Sequence, residues 1–423
     1  MNLHLNAMGL LCALGSGAEQ VRQHLFGAQE PPPGHGVRSS TAYAPHMPLH
    51  PGQVAPVTLP LGALADTVVL PPLAHARLQE RSRGNAMLAV ALAQIRPAVD
   101  AAVSRFGPLR VAVVLGASAS GVEEGLQAAR QFQALSRFPD DYHYTQQEMG
   151  NAAVFVQREL GLRGPAHVVS TACSSGAKAL ASGARLLRAG LADAVIAGGV
   201  DALSAFTLAG FSALESVSPS RCLPLSAHRA GINLGEGAAL FLMTREPGPV
   251  RLSGWGETSD AHHMSAPDPK GRGAADAMRQ ALARAGLAPE AVDYVNLHGT
   301  ATPQNDAMES RAVAEVLGTA VPVSSTKPLT GHALAAAGAI EAAFAWLTLT
   351  DNPHGRLPPH LWDGARDPAL PGLTLAEAGW APGASALTST PSSGPALGRP
   401  VRHVLSNSFA FGGSNAALLL SGT

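Results

Sequence analysis

Apolar positions along the 423-residue chain fall into two alternating patterns. Short β-branched runs at Arg110–Leu115, Ala166–Thr171, Ala194–Ala197, Val292–Leu297, Val321–Ser324 and Val401–Ser406 each suit one buried strand. Longer Ala/Leu-rich stretches separate them, and this alternation predicts α/β layering. Two of those stretches, Ala177–Leu187 and Ala333–Leu349, are apolar nearly all round. A helix without a polar face is covered on every side. Central helices of that kind need a sheet above and a sheet below, which is more layers than a doubly wound fold has. The pattern runs through twice, dividing the chain into 1–246 and 247–423, with no residue-level repeat between the halves. Residues 29–60 and 382–400, rich in Gly, Pro and small polar residues, read as surface connections.

Composition narrows the class. Hydrophobic residues make up 46% and charged residues only 14%, a deficit that implies extensive internal or subunit burial. The formal net charge is −1 with no Lys/Arg block, so neither nucleic acid nor an anionic membrane is an expected partner. No stretch reads as the roughly 18 apolar residues that cross a bilayer. The run Leu3–Leu14 lacks a basic start and is broken by Asn6 and Gly9, so a signal peptide is not expected. Cys12, Cys173 and Cys222 show no C-x-x-C spacing, which favours free thiols in a reducing, cytoplasmic compartment.

Four segments carry candidate chemistry. In Val168-Val169-Ser170-Thr171-Ala172-Cys173-Ser174-Ser175-Gly176, a β run delivers Cys173 to the first turn of a buried helix. Unsatisfied N–H groups and the helix dipole there favour a thiolate, the nucleophilic form; the plainer alternative is a small core cysteine. His298, in Asn296-Leu297-His298-Gly299-Thr300-Ala301-Thr302, follows a strand and enters a loop with two hydroxyl residues, whereas most such histidines are structural. Lys327, one of only three lysines, precedes His332 at the start of the second apolar helix. Its small, apolar neighbours predict a buried lysine paired with Glu341 or with Glu309. In Phe409-Ala410-Phe411-Gly412-Gly413, the alternatives are a hairpin turn and a flexible backbone that offers an N–H to an oxyanion while Phe411 gates a pocket.

Together these segments resemble the β-ketoacyl-acyl-carrier-protein synthases, the decarboxylating condensing enzymes of the thiolase superfamily. Gly9-Leu10-Leu11-Cys12-Ala13-Leu14-Gly15, Asn233-Leu234-Gly235-Glu236-Gly237 and Asp260-Ala261-His262-His263-Met264 extend the resemblance over nearly the whole chain. It implies a five-layered αβαβα thiolase-like fold, with Cys173 in the first half and both histidines in the second. It also implies acyl transfer to Cys173, followed by decarboxylation of a malonyl unit with His298 and His332 at its carbonyl. The N–H groups of Cys173 and Phe411 would hold the oxyanion, and Lys327 with Glu309 and Glu341 would orient the histidines. Thr300, Thr302 and His263 would line the pantetheine route, with Ala119 and Phe409 at the acyl pocket. Substrates would ride on the phosphopantetheine of an acyl carrier protein, with no bound catalytic cofactor and no metal, His262-His263 lacking helical ligand spacing. A homodimer, or a heterodimer with a chain-length-factor-like subunit, is implied.

Departures point to the substrate. Ala410 stands where Gly is common, and Gln146, Gln147 and Glu148 are polar for a saturated-chain pocket, so an aryl-polyene or polyketide-type chain is expected. Arg77, Arg81 and Arg83 are candidates for docking an acidic carrier, against a merely solvated face. The competing readings are a thiolase or coenzyme-A-dependent enzyme, a non-catalytic chain-length-factor-like subunit, and a serine hydrolase using Ser174 or Ser175. The last lacks a G-x-S-x-G elbow.

Overall fold

Strands β1 (His4–Cys12), β2 (Val111–Gly116), β3 (Ala166–Val169), β4 (Ala194–Asp201) and β5 (Gly237–Thr244) form one group. The computed structural model describes residues 2–27, 31–41, 58–378 and 394–423. A second group contains β6 (Val250–Ser259), β7 (Tyr294–Asn296), β8 (Pro322–Ser324), β9 (Thr374–Leu375), β10 (His403–Ala410) and β11 (Ser414–Gly422). Spatial order is β3-β2-β4-β5-β1 in the first and β9-β8-β7-β10-β11-β6 in the second. Apart from the edge strand β9, both groups therefore share one winding. Three parallel strands are followed by two antiparallel ones in each. Among the described residues the strand pairing that joins the groups is that of His4 and Leu5 with Arg251 and Val250. The β-branched runs form the parallel strands; the antiparallel β1, β5, β6 and β11 lack that signature, and the sequence pattern does not reveal them.

Helices complete the layers. Arg83–Phe106 and Asn151–Glu159 cover the outer face of the first group, and Arg272–Ala285 with Pro303–Leu317 cover that of the second. Between the groups, Ser175–Arg188 packs on β2 and β4 while Ala337–Leu349 packs on β10 and β11. This is the α/β thiolase-like arrangement of five layers. Arg83–Phe106 is, by length and composition, apolar enough to cross a membrane, which corrects the expectation of no such stretch. Its apolar stripe, including Met87, Leu88, Ala91, Ile95 and Val99, is buried in the core.

The central pair differ from expectation in one respect. Ala337–Leu349 is buried along its length except at Leu349, but Ser175–Arg188 keeps a polar edge with Arg185 and Arg188 at least partly exposed. A 3₁₀ turn, Leu334–Ala336, precedes the former. Of the connections expected at 29–60 and 382–400, residues 29–30, 42–57 and 382–393 lie outside the described residues.

The two helices approach closely because neither carries a large side chain at the crossing. A Cβ on Gly176 would sit 2.8 Å from the Ala335 carbonyl oxygen and 2.8 Å from the Ala339 nitrogen. Backbone atoms cannot yield as a side chain does, so overpacking there separates the helices. Gly176→Ala is expected to destabilise the protein by about 1–3 kcal/mol, read as a lower denaturant midpoint with an unchanged slope.

Candidate active site

Cys173 sits on a sharp turn between β3 and the Ser175–Arg188 helix. Ala172 has φ of 50°, a conformation that costs a side-chain-bearing residue about 1 kcal/mol or more. The turn is held by its own serines. Ser175 Oγ accepts the Thr171 N–H at 2.8 Å and donates to the Ala172 carbonyl at 2.6 Å; Ser174 Oγ donates to the Thr171 carbonyl at 2.9 Å. Both hydroxyls are thus occupied, that of Ser174 also by Ser414 Oγ at 3.0 Å, which argues against the serine-hydrolase reading.

The thiol does not behave as the helix dipole alone predicts. Burial pushes the Cys173 pKa up to about 12, against the opposing influence of the Lys327 charge and the N–H groups of Cys173 and Phe411. Desolvation outweighs the favourable field, so the resting group is a neutral thiol. Cys12 and Cys222 are also pushed up to about 12 by burial. Titration therefore does not single out Cys173; its neighbours do.

Those neighbours are His298 and His332, whose donor atoms and the Cys173 sulfur all lie within 4.8 Å of one another. The imidazole rings are 5.2 Å apart and nearly perpendicular, at 82°. His298 leaves β7 with its own N–H and that of Gly299 donated to the Glu309 carboxylate at 2.8 and 2.7 Å. His332 is held from the other half, its N–H donating to the Asn233 carbonyl at 2.6 Å. Both rings are buried, and burial first, then Lys327, holds their pKa well below 6.5. Each Nδ1 is buried with no hydrogen-bond partner. Among the described residues these three side chains form the one cluster with metal-ligand spacing, but the Lys327 cation beside them makes the site attractive to anions and disfavours a second cation.

Lys327 is 1% exposed, with Nζ 2.6 Å from Glu341 Oε1 and donating to the His298 carbonyl. The sequence leaves its partner open between Glu341 and Glu309. Glu341 forms the ion pair, and Glu309 instead accepts the two loop amides, its pKa pushed up to about 7 by burial. A cavity of about 250 Å³ opens onto Cys173 and both histidines, with Thr300, Thr302, Phe409 and Phe411 on its walls. The Thr300 and Thr302 hydroxyls are 2.9 Å apart. The Phe409 ring lies edge-on to His298 at 6.3 Å, and Phe411 faces Phe211 at 5.9 Å. Ala410 adopts extended backbone, φ −112° and ψ 158°, and the positive φ of the turn falls on Gly412 and Gly413.

Other predicted positions lie elsewhere. Ala119 is buried off the cavity, its N–H donating to Asp201 at 2.8 Å. His263 is exposed and accepts the N–H groups of Ser265 and Ala266 at 3.2 Å each; Ser265, not His263, lines the cavity. Gln146 donates to the Arg81 carbonyl at 2.8 Å and accepts the His143 N–H at 2.9 Å, and it lines a second, small pocket with Asn85, Ser120 and Asn151 rather than the cavity at Cys173. Of the arginine cluster, Arg83 is half-buried and pairs with buried Glu236 at 2.6 Å, whereas Arg77 and Arg81 are exposed, Arg81 bonding the Ala74 and Ala76 carbonyls. The sequence reading misses Asp201: fully buried, it accepts from Ser118, Ala119 and Ala335. An acid ending the apolar run Ala194–Val200 is the available signal.

Comparison with known proteins identifies the family. Residues 86–247 match the family described as Beta-ketoacyl synthase, N-terminal domain, and residues 250–361 match Beta-ketoacyl synthase, C-terminal domain. The mitochondrial 3-oxoacyl-[acyl-carrier-protein] synthase of Arabidopsis thaliana is 35% identical over 292 residues, 64% of this chain and 59% of that protein. 3-Oxoacyl-[acyl-carrier-protein] synthase 2 of Staphylococcus aureus is 34% identical over 281 residues, 62% of this chain and 65% of that protein. The chain thus spans a little under two thirds of the length of these curated relatives. A chain from the solved complex of the ketosynthase ApeO with its chain length factor ApeC, from Xenorhabdus doucetiae, is 41% identical with a TM-score of 0.87, covering 100% of this chain and 98% of that one. A β-ketoacyl synthase from Burkholderia phymatum STM815 is 27% identical with a TM-score of 0.80, covering 100% and 99%. Because the two family domains match in sequence order over more than half of its length, this chain belongs to the β-ketoacyl synthase family.

Proposed function

We propose that this chain joins an acyl group to a malonyl unit, both delivered as thioesters on the phosphopantetheine of an acyl carrier protein. The observation that carries the reading is the meeting of one thiol, two neutral imidazoles and the N–H groups of Cys173 and Phe411 at a single cavity beside a buried cation. In the first step the Cys173 sulfur attacks the carrier thioester while a neutral imidazole accepts the thiol proton. The carrier thiolate leaves and takes that proton, and the acyl group stays on sulfur. In the second, the bond from the malonyl methylene to its carboxylate breaks and carbon dioxide departs. The electron pair moves onto the thioester oxygen, where we assign the Nε2–H groups of His298 and His332 as donors. The enolate carbon then attacks the acyl-cysteine, the Cys173 and Phe411 N–H groups hold the oxyanion, and collapse releases the Cys173 thiolate, which solvent reprotonates. Thr300 and Thr302 contact the pantetheine arm. This chemistry calls for no redox cofactor and no metal.

The finer assignments belong to the same proposal. Residues 1–246 and 247–423 are two similar halves that supply the cysteine and the histidines respectively, in a cytoplasmic enzyme. The exposed side chains of Phe132, Leu135 and Phe138, at 45%, 69% and 48%, support a subunit interface. A chain-length-factor-type partner is favoured over a second copy by the similarity to the ApeO–ApeC complex. The cysteine and the paired histidines argue against a non-catalytic subunit and against a thiolase. Three phenylalanines around the cavity suit a flat, conjugated aryl-polyene or polyketide-type chain better than a long saturated one.

Intact mass after mixing with acylated carrier protein should rise by one acyl group, and Cys173→Ala should abolish both the shift and condensation; undiminished condensation by that variant would falsify the proposal. Conjugated acyl carriers should be turned over at least about tenfold faster than saturated chains of about fourteen carbons, roughly 1.4 kcal/mol in the transition state. Because the thiol titrates near 12, alkylation of Cys173 by iodoacetamide should keep accelerating through pH 10, about tenfold per unit, whereas an ordinary thiol levels off near 9.

A further inference from the structure

Lys178 has no part in the steps above, yet it reaches toward them. It lies at the start of the Ser175–Arg188 helix, half-buried, and burial holds its ammonium below the ordinary lysine range. Its Nζ donates to Ser414 Oγ at 2.6 Å rather than to a carboxylate. Ser414 Oγ lies 3.0 Å from Ser174 Oγ, and Ser174 is fully buried and bonded back to Thr171. Ser174 directly follows the nucleophile, and Ser414 directly follows the Phe411–Gly413 turn. One polar chain therefore links the turn that presents Cys173 to the turn that presents Phe411, across 240 residues of sequence.

The link matters because Gly412 and Gly413 both have positive φ, so the Phe411 turn sits in backbone conformations that glycine leaves soft. Its backbone ties, Gly412 N–H to the Met264 carbonyl at 2.8 Å, Asp260 N–H to the Gly413 carbonyl at 2.9 Å and the pairing of Ser414 with Ala410 and Ser259, fix it to the cavity rim and the sheet. The Phe411 N–H reaches the Cys173 thiol itself but not the turn that carries it. An oxyanion hole needs its two donors at a set separation, and a displacement of about 1 Å costs up to about a hundredfold in rate. We infer that Lys178, acting through Ser414 and Ser174, is a positioning residue that sets the spacing of the Cys173 and Phe411 N–H groups and holds the Phe411 gate to the nucleophile turn. The role in catalysis rests on the condensation reading above; the mechanical link does not.

The test compares K178M, S414A, S414T and the K178M/S414A pair in the 423-residue chain. Single-turnover acylation of Cys173 by an acyl carrier thioester should slow about tenfold in K178M and in S414A, with little change in KM. S414T keeps the hydroxyl and should stay within about twofold, which a loss of folding would not allow. The double variant should be no slower than the slower single one, because both changes break the same chain. Independently of activity, hydrogen exchange at Gly412–Ser414 should quicken about tenfold in K178M. Native protection there in K178M would overturn the link, and a native acylation rate in K178M or multiplying losses in the pair would overturn the positioning role. A wild-type protein that takes up no acyl group, yet loosens at 412–414 in K178M, would count against the condensation reading and for the link.

Discussion

A positive charge buried at the centre of the molecule is the constraint on which the site depends. Stripping an ammonium of water costs several kcal/mol, and Lys327 is nearly inaccessible. Glu341 at 2.6 Å and the His298 carbonyl offset that cost, which ties the ion pair to the loop carrying the first histidine. In return the charge sets the sign of the local field. It helps to keep both imidazoles neutral and favours a thiolate that burial alone strongly opposes. A field of that sign stabilises negative charge that develops during a reaction more than charge already present at rest. The neutral resting imidazoles and the attraction for an anion are two consequences of one arrangement.

The acidic residues act differently. Glu309 accepts the N–H groups of His298 and Gly299, and Asp306 accepts those of Leu225 and Ala301. Asp201 gathers Ser118, Ala119 and Ala335, and Glu236 gathers Leu64 and Leu203 while pairing with Arg83. Each fixes backbone that has no ladder to join, in loops that would otherwise bury unsatisfied donors. Burial raises the pKa of Asp201, Asp306 and Glu309, with the same hydrogen bonds pulling it back. These carboxylates hold the loops in which the nucleophile and the histidines sit, rather than exchanging protons with a substrate.

The repeated winding explains why the site falls where it does. Two groups of strands with the same order enclose Ser175–Arg188 and Ala337–Leu349, one helix contributed by each group's segment of chain. The turn before the first helix carries Cys173, and His332 lies in the segment before the second. Gly176 lets the helices touch, so the two starts converge. Contacts such as Asp201 to Ala335 and Asn233 to His332 then stitch one group of strands to the other beside the cavity.

Much of this was legible in the residues themselves. The parallel strands and the two central helices followed from β-branched runs and from Ala/Gly-rich segments, because those patterns report burial directly. Cys173, His298, His332 and Lys327 were legible as candidates because each stands at the end of such an element with small or hydroxyl neighbours. The antiparallel strands, the choice of Glu341 over Glu309, the placement of Ala119 and His263 off the cavity, the pairing of Arg83 with Glu236, and the protonation of the thiol were not. Pairing, exposure and desolvation depend on which distant segments pack together, and residues 14 to 240 positions apart decide them. Local pattern determined which chemistry the chain carries; only the packing of its two halves decided which groups face one another and in what charge state.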